Sequence, residues 1–224
     1  KLAFMRAGTI WTSNADCSNQ VSTGSAGDAP TWSPDGTKIA FVRGGSFSDI
    51  WTMNADGTGQ TPFTAITQPS PAAPAYSPDG TKLAFQSGGD IWIINADGTN
   101  ERRVTISASN DSGPAWSPDG TKIIFAKVGT GISVINIDGT SEIALTNWGQ
   151  DSSPSWSNDG TKIAFVRRGG TANAGWPWTP TPPPGVGPPC GWRHPDAPHT
   201  SAASSPYAPR IAPPPRDSAV VTRS

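Results

Sequence analysis

The chain of 224 residues carries a net charge of −1, which gives no electrostatic drive toward nucleic acid or an anionic membrane surface. Only 34% of the residues are hydrophobic, against 25 glycines and 24 prolines. That balance suits many short strands joined by tight turns, or a globular part diluted by a disordered one. No apolar run approaches the roughly 20 residues needed to cross a bilayer, so no membrane insertion is expected. Cys17 and Cys190 sit in different contexts and supply neither a disulfide framework nor metal-ligand spacing. Residue 1 is Lys, so the chain reads as a fragment or a processed form, and a missing leader carries no information.

In chain order, Lys1–Phe4 is the tail end of a motif that recurs downstream. A degenerate second motif follows, Ile10-Trp-Thr-Ser-Asn-Ala-Asp16. The full first motif is Trp32-Ser-Pro-Asp-Gly-Thr-Lys-Ile-Ala-Phe41, repeated from Tyr76 to Phe85, Trp116 to Phe125 and Trp156 to Phe165, at steps of 44, 40 and 40 residues. The second motif trails it as Ile50–Gly57, Ile91–Gly98 and Ile132–Gly139. Self-similarity at this period marks a repeat architecture.

Each unit translates into four strands. In the Ser-Pro-Asp-Gly tetrad, Pro34 presets the backbone, Asp35 tolerates the next position and Gly36 accepts the positive φ that closes the turn. Asn54-Ala-Asp-Gly57 makes a second turn of the same kind. Between them, Lys38–Val42 and Ile50–Met53 are short and rich in β-branched and aromatic residues. Ile39 and Phe41 point to one face, Ala40 and Val42 to the other. Both faces are apolar, so each sheet must be covered on both sides. Four strands per unit of about 40 residues favour a β-propeller of stacked blades over a sandwich.

These motifs resemble the TolB-like, WD-repeat-like propeller family, whose repeats are similar to those in the propellers of tricorn and prolyl-oligopeptidase-like peptidases. Pro30–Gly57 and Pro74–Gly98 carry the resemblance nearly throughout. Thr9 and Gly131 depart from it where Asp49 and Asp90 stand, and Asn158 replaces the turn proline. The expected fold is all-β: an antiparallel β-propeller over residues 1–169, incomplete at roughly four to four and a half blades. Propellers close with four to eight blades and the family typically uses six, so an open arc is expected. The resemblance implies a periplasmic or extracellular protein.

Beyond residue 170 the repeat breaks off, and 14 of the 24 prolines follow. Such a stretch cannot pair regularly or bury enough apolar surface, so residues 170–224 are expected to be a disordered or non-native Pro-rich tail. A change of reading frame or a fragment edge accounts for the break. A functional Pro-rich tail that docks an aromatic-lined groove is the alternative.

The only histidines, His194 and His199, fall in that tail, and no Gly-x-Ser-x-Gly elbow appears. Neither a His general base nor a nucleophile elbow can therefore be placed in the repeats, and no enzymatic activity is expected. The Asn-x-Asp-Gly turns resemble part of a calcium loop, but Phe63 stands where its twelfth-position acid belongs. No catalytic, metal or cofactor residues are assigned. The recurring Trp and Lys series reads as architecture. Binding residues ride on loops held by a rigid scaffold, and the loops between strands two and three share one face of a propeller with the inter-blade loops. There the candidates for contact with a protein partner are Asp28, Arg43, Asp111, Lys127, Trp148 and Asp151. A solvated rim of loosely paired charges is the plain alternative. Two further readings stand open: an accessory propeller gating a peptidase whose catalytic domain is absent, and carbohydrate binding. No small-molecule ligand is assigned.

Overall fold

The computed structural model describes residues 1–44, 48–64 and 71–167 and the backbone of 218–222. Five antiparallel sheets follow one another along the chain. Blade 1 holds β1 (Leu2–Arg6), β2 (Thr9–Ser13) and β3 (Val21–Ala26); blade 2 holds β4 (Asp28–Trp32), β5 (Lys38–Gly44), β6 (Ser48–Asn54) and β7 (Thr61–Pro62). Blade 3 comprises β8 (Ala72–Tyr76), β9 (Lys82–Ser87), β10 (Asp90–Asn95) and β11 (Arg102–Arg103). Blade 4 comprises β12 (Asp111–Trp116), β13 (Lys122–Lys127), β14 (Gly131–Asn136) and β15 (Ile143–Ala144). In blade 5, β16 (Asp151–Trp156) and β17 (Lys162–Arg167) are joined by β18 (Ser218–Thr222).

The last strand falls within residues 170–224, all of which the sequence reading assigned to a disordered or non-native tail. Its backbone pairs Ile163 with Val221 and Phe165 with Ala219, as Ile123 pairs with Ile135 in blade 4. The Ala-Val-Val-Thr run is the one stretch of the tail with the β-branched content of a strand. The rest of the Pro-rich tail, and the expectation of disorder placed on it, lies outside the described residues.

The turns form as their residues dictate. Ser33 Oγ donates to Asp35 Oδ1 and accepts from Lys38 N at 2.9 Å, while Asp35 accepts from Thr37 N at 3.0 Å and Thr37 Oγ1 at 2.9 Å. Gly36 adopts φ +69°. Repetition of this hydroxyl and amide cage holds the Asp79 and Asp159 carboxyls at about 2, the Ser77 and Ser157 hydroxyls acting most strongly. Asp56, Asp97 and Asp138 serve the second turn in the same way, each accepting from the amide and hydroxyl of a Thr two residues on. Their oxygens are committed to the turn. Cys17, in the degenerate copy of that turn, is disulfide-bonded, which corrects the expectation that the cysteines supply no cross-link.

Blade stacking makes the core, and large side chains of one blade meet small or branched ones of its predecessor. Ile39, Phe41 and Met53 of blade 2 pack with Ile10 of blade 1. Leu83 and Phe85 pack back onto Ala40 and Ile50. Ile123 and Phe125 pack back onto Ala84, Ile91 and Ile93, and Ile163 and Phe165 onto Ile124, Ala126, Ile132 and Val134. The two-residue strand period therefore splits each second strand between two interfaces, as the alternation of Ile39/Phe41 against Ala40 requires.

Every first strand of blades 2 to 5 carries a register shift, between Asp28 and Thr31, Ala72 and Ala75, Ser112 and Ala115, and Ser152 and Ser155. Each shift spans a proline, which has no N–H to give the ladder and is tolerated at a bulge. The bulges decide which way the residues at the head of each blade point.

Candidate partner-binding face

Backbone contacts bind the strand-two-to-three turns to the inter-blade loops, giving the loop face a fixed frame. Gly27 N donates to Gly8 O at 3.1 Å, Asp111 N to Gly89 O at 2.8 Å and Val128 N to Asn110 O at 3.0 Å. Gly149 lies so close to Gly129 that an added Cβ would stand 2.8 Å from the Gly129 Cα. These loops are supported by their neighbours, as a recognition surface needs.

The six candidate residues on this frame differ sharply in environment. Asp111 and Asp151 stand opposite Lys127 and Arg167 at the head of β12 and β16, and both are buried. Asp151 accepts from Arg167 Nε at 2.7 Å and Nη2 at 2.9 Å. Burial pushes its carboxyl up, but the Arg167 guanidinium and the Thr146 hydroxyl outweigh that and hold it below the ordinary carboxylate value. Asp111 has no such partner. Lys127 turns instead to Glu142 in a short ion pair, leaving Asp111 with long contacts of 3.5 and 3.4 Å to Ser107 Oγ. Burial therefore raises the Asp111 carboxyl, only partly opposed by Thr105 and Lys127.

Asp28 is exposed and lies opposite Val42, one residue out of step with Asp111 and Asp151. A one-residue step on a strand reverses the side chain. Gly27 occupies the corresponding place, where even a Cβ would come within 2.6 Å of Phe41. Arg43 is half-buried between blades 1 and 2. Its guanidinium lies over Trp51 and Phe41, 4.7 and 5.4 Å from the ring centres, and donates to Ala26 O and Gln60 Oε1. Both Arg43 and Lys127 are thus tied into the scaffold. Trp148 alone among the six is a large apolar group open to solvent, 43% exposed.

Two other exposed apolar residues on these loops went unmarked in the sequence. Ile106 is 84% exposed and Val128 60%, on the loops that lead into β12 and β14. With Trp148 they place an exposed apolar residue on each of three loops of blades 3 to 5, cross-linked by the Asn110–Val128 bond and the Gly129–Gly149 contact. The available signal was their apolar character inside otherwise polar loop segments.

Ionic chemistry on this face is structural: Arg103 pairs with Asp90 at 2.7 Å, Arg167 with Asp151 and Lys127 with Glu142. Among the described residues no group of three His, Cys, Asp or Glu side chains converges on a cation position.

Residues 10–174 match the TolB beta propeller domain family. TolB from Acinetobacter baumannii superposes with a TM-score of 0.61 at 23% identity, covering 74% of this chain and 44% of that one. The putative TolB from Agrobacterium tumefaciens gives 0.62 at 24%, covering 71% and 62%. A chain of a nidogen/laminin complex gives 0.62 at 14%, covering 74% and 69%. At these identities the likeness is one of fold, and the chain spans less than two thirds of the length of either TolB. No curated protein matches. The family match over the blades, with the four-stranded repeat and its Asp-Gly turns, establishes that this chain belongs to the TolB β-propeller domain family.

Proposed function

We propose that the chain is a non-catalytic interaction module that binds a protein partner, in the periplasm or outside the cell, through the loop face of blades 3 to 5. The exposed apolar trio Ile106, Val128 and Trp148 carries this reading. Rigidly supported aromatic and aliphatic groups supply binding energy with little entropy to lose. Around them Arg103, Lys127 and Arg167 are already paired with Asp90, Glu142 and Asp151, which leaves the apolar groups as the contact and the charges as its frame. A protein surface fits this chemistry better than a sugar, since apart from Trp148 no aromatic ring among the described residues stands exposed there for stacking.

Photo-crosslinking residues at positions 128 and 148 test the proposal in extracts of the source cells, with position 161 on the opposite turns as control. A protein captured at 128 and 148 but not at 161 is then purified and titrated by calorimetry. Trp148→Ala should weaken its binding by roughly 30-fold, the effect of losing about 2 kcal/mol from an aromatic anchor. Equal capture at all three positions, or unchanged affinity of the variant, refutes the loop-face reading.

A further inference from the structure

Two residues past the recurring Phe, four of the five blades carry a cation: Arg6, Arg43, Lys127 and Arg167. Each lies over an aromatic ring of its own blade. Arg6 stands 5.0 Å from the centre of Trp11 and Arg43 4.7 Å from that of Trp51. Lys127 and Arg167 stand 5.9 and 5.3 Å from the centres of Phe125 and Phe165. A polar side chain also holds the cation in blades 1, 2 and 4. Gln20 accepts from Arg6 at 2.7 Å, Gln60 accepts from Arg43, and Glu142 pairs with Lys127. The ring attracts the positive charge through its quadrupole, and the amide or carboxylate fixes where the charge sits. Ring and anchor together make a cradle for a cation.

Blade 3 keeps the ring and the anchor and changes the third member. Trp92 stands in the place of Trp11 and Trp51, and Glu101 in that of Gln20, Gln60 and Glu142, but Ser87 takes the place of the cation. Trp92 is half-buried, and its Nε1 donates to Ser87 O at 3.1 Å. The ring is thus held by the backbone of the residue that replaces the cation. Phe85 is fully buried, which leaves Trp92 as the ring a cation can meet. Glu101 is exposed but partly desolvated, which pushes its carboxyl up, and no positive group opposes this. Arg103 lies across the ladder from Trp92, yet it serves another acid. Its Nη2 pairs with Asp90 at 2.7 Å and its Nε donates to Thr105 O at 2.8 Å. No Lys or Arg occurs between Arg43 and Lys82 or between Lys82 and Arg102, so these stretches of chain supply no substitute.

We propose that Trp92 and Glu101 of blade 3 form a receptor for a cationic side chain, lysine or arginine, supplied by the protein partner. The chain fills the same cradle with its own residues in blades 1, 2 and 4. Trp faces Arg in blades 1 and 2, and Glu faces Lys in blade 4, so a cradle of Trp and Glu suits either cation. Glu101 adds a full negative charge where Gln20 and Gln60 offer only a dipole. The source of the cation rests on the loop-face reading; the cradle itself does not.

The probes are the amides of acetyl-arginine, acetyl-lysine and the neutral acetyl-citrulline, titrated into the full chain while heteronuclear NMR follows the indole N–H signals. Trp92→Phe identifies the Trp92 signal. That signal should shift saturably with either cation and stay in place with citrulline. Glu101→Ala, at an exposed position, should weaken binding roughly three-fold, the effect of losing an exposed ion pair, and Glu101→Lys should abolish it. Ser87→Arg restores the pattern of blade 2 and should block both cationic probes. Should its amide spectrum differ from that of the parent, the two Glu101 variants carry the test. A Trp92 signal that does not move, that moves equally with citrulline, or that is indifferent to Glu101→Lys overturns the cradle. A captured partner should bind Glu101→Ala roughly three-fold more weakly than the parent, and unchanged affinity overturns the partner as the source. Failure of capture at positions 128 and 148 with an intact probe response refutes the loop-face reading and, with it, the partner as the source.

Discussion

Asp111 and Asp151 occupy the same register position in adjacent blades, so replacing each measures what the neighbour contributes. Asp151 is fully buried and accepts both bonds from Arg167, whose side chain is 42% exposed. Hydrogen bonds to charged groups contribute about 1.5–3 kcal/mol each, but an exposed guanidinium is screened and regains water when its partner goes. Asp151→Ala should therefore cost about 2 kcal/mol in all, and at roughly 2–4 °C per kcal/mol for a unit of this size, Tm should fall by about 4–8 °C. Asp111→Asn should behave oppositely. A carboxyl raised in the folded state contributes stability below the ordinary carboxylate value and loses it as pH rises through the folded value. At neutral pH its charge is a liability, and the isosteric amide should match the parent or gain up to about 1 kcal/mol. The Asp151 contribution has the reverse sign: present above the ordinary value, it is lost as pH falls through the depressed one. Thermal unfolding followed by near-ultraviolet circular dichroism at pH 7 and at pH 4.5 reads both. A loss from Asp111→Asn at pH 7 as large as that from Asp151→Ala would refute the assignment of environments.

Gly131→Ala should be costly, because φ is +122° and the new Cβ would stand 2.4 Å from Thr146 Oγ1 and 3.0 Å from Trp148 O. Thr146 Oγ1 holds Ile132 N at 2.9 Å, so a loss of about 2–3 kcal/mol is expected, with faster amide hydrogen exchange across residues 146–150. Trp116 and Trp156 offer a matched pair for urea unfolding. Trp116 Nε1 donates to Ala75 O at 3.0 Å, whereas the buried Trp156 Nε1 has no partner among the described residues. Trp116→Phe should cost about 1 kcal/mol more than Trp156→Phe, and equal losses would show that the indole N–H contributes nothing.

The blade was legible because every device that builds it is local. A proline and glycine at fixed places in the turn, a hydroxyl two residues from an aspartate and a two-residue apolar alternation act within ten residues of one another. The split of Ile39/Phe41 from Ala40 into different interfaces follows from that alternation alone. The site was less legible because its properties depend on register and on the neighbouring blade. Asp28 lay close to the place of Asp111 and Asp151, but it stands four residues before its Trp where they stand five, and that one-residue step turns it outward. Arg43 and Lys127 looked like rim charges, and only the fold shows their partners Gln60 and Glu142 arriving 17 and 15 residues later.

Those partners expose a regularity that bears on where binding can occur. Counting two residues past the invariant Phe gives Arg6, Arg43, Ser87, Lys127 and Arg167; counting nine past the third-strand Trp, or past Ser133 in its place, gives Gln20, Gln60, Glu101 and Glu142. Arg meets Gln in blades 1 and 2, and Lys meets Glu in blade 4. A neutral amide holds the guanidinium by geometry, while the carboxylate holds the ammonium by charge, so the two positions act as one unit whose chemistry changes by blade. In blade 4 that choice takes Lys127 away from Asp111 and leaves the acid buried without a cation. Side chains caught in such pairs are not available to a partner. Among the described residues of blades 3 to 5, the large apolar groups left exposed on the loop face are Ile106, Val128 and Trp148. On the proposed loop-face reading, a partner would therefore meet the apolar residues that the blades leave over, while the ionic pairs hold the blades in place.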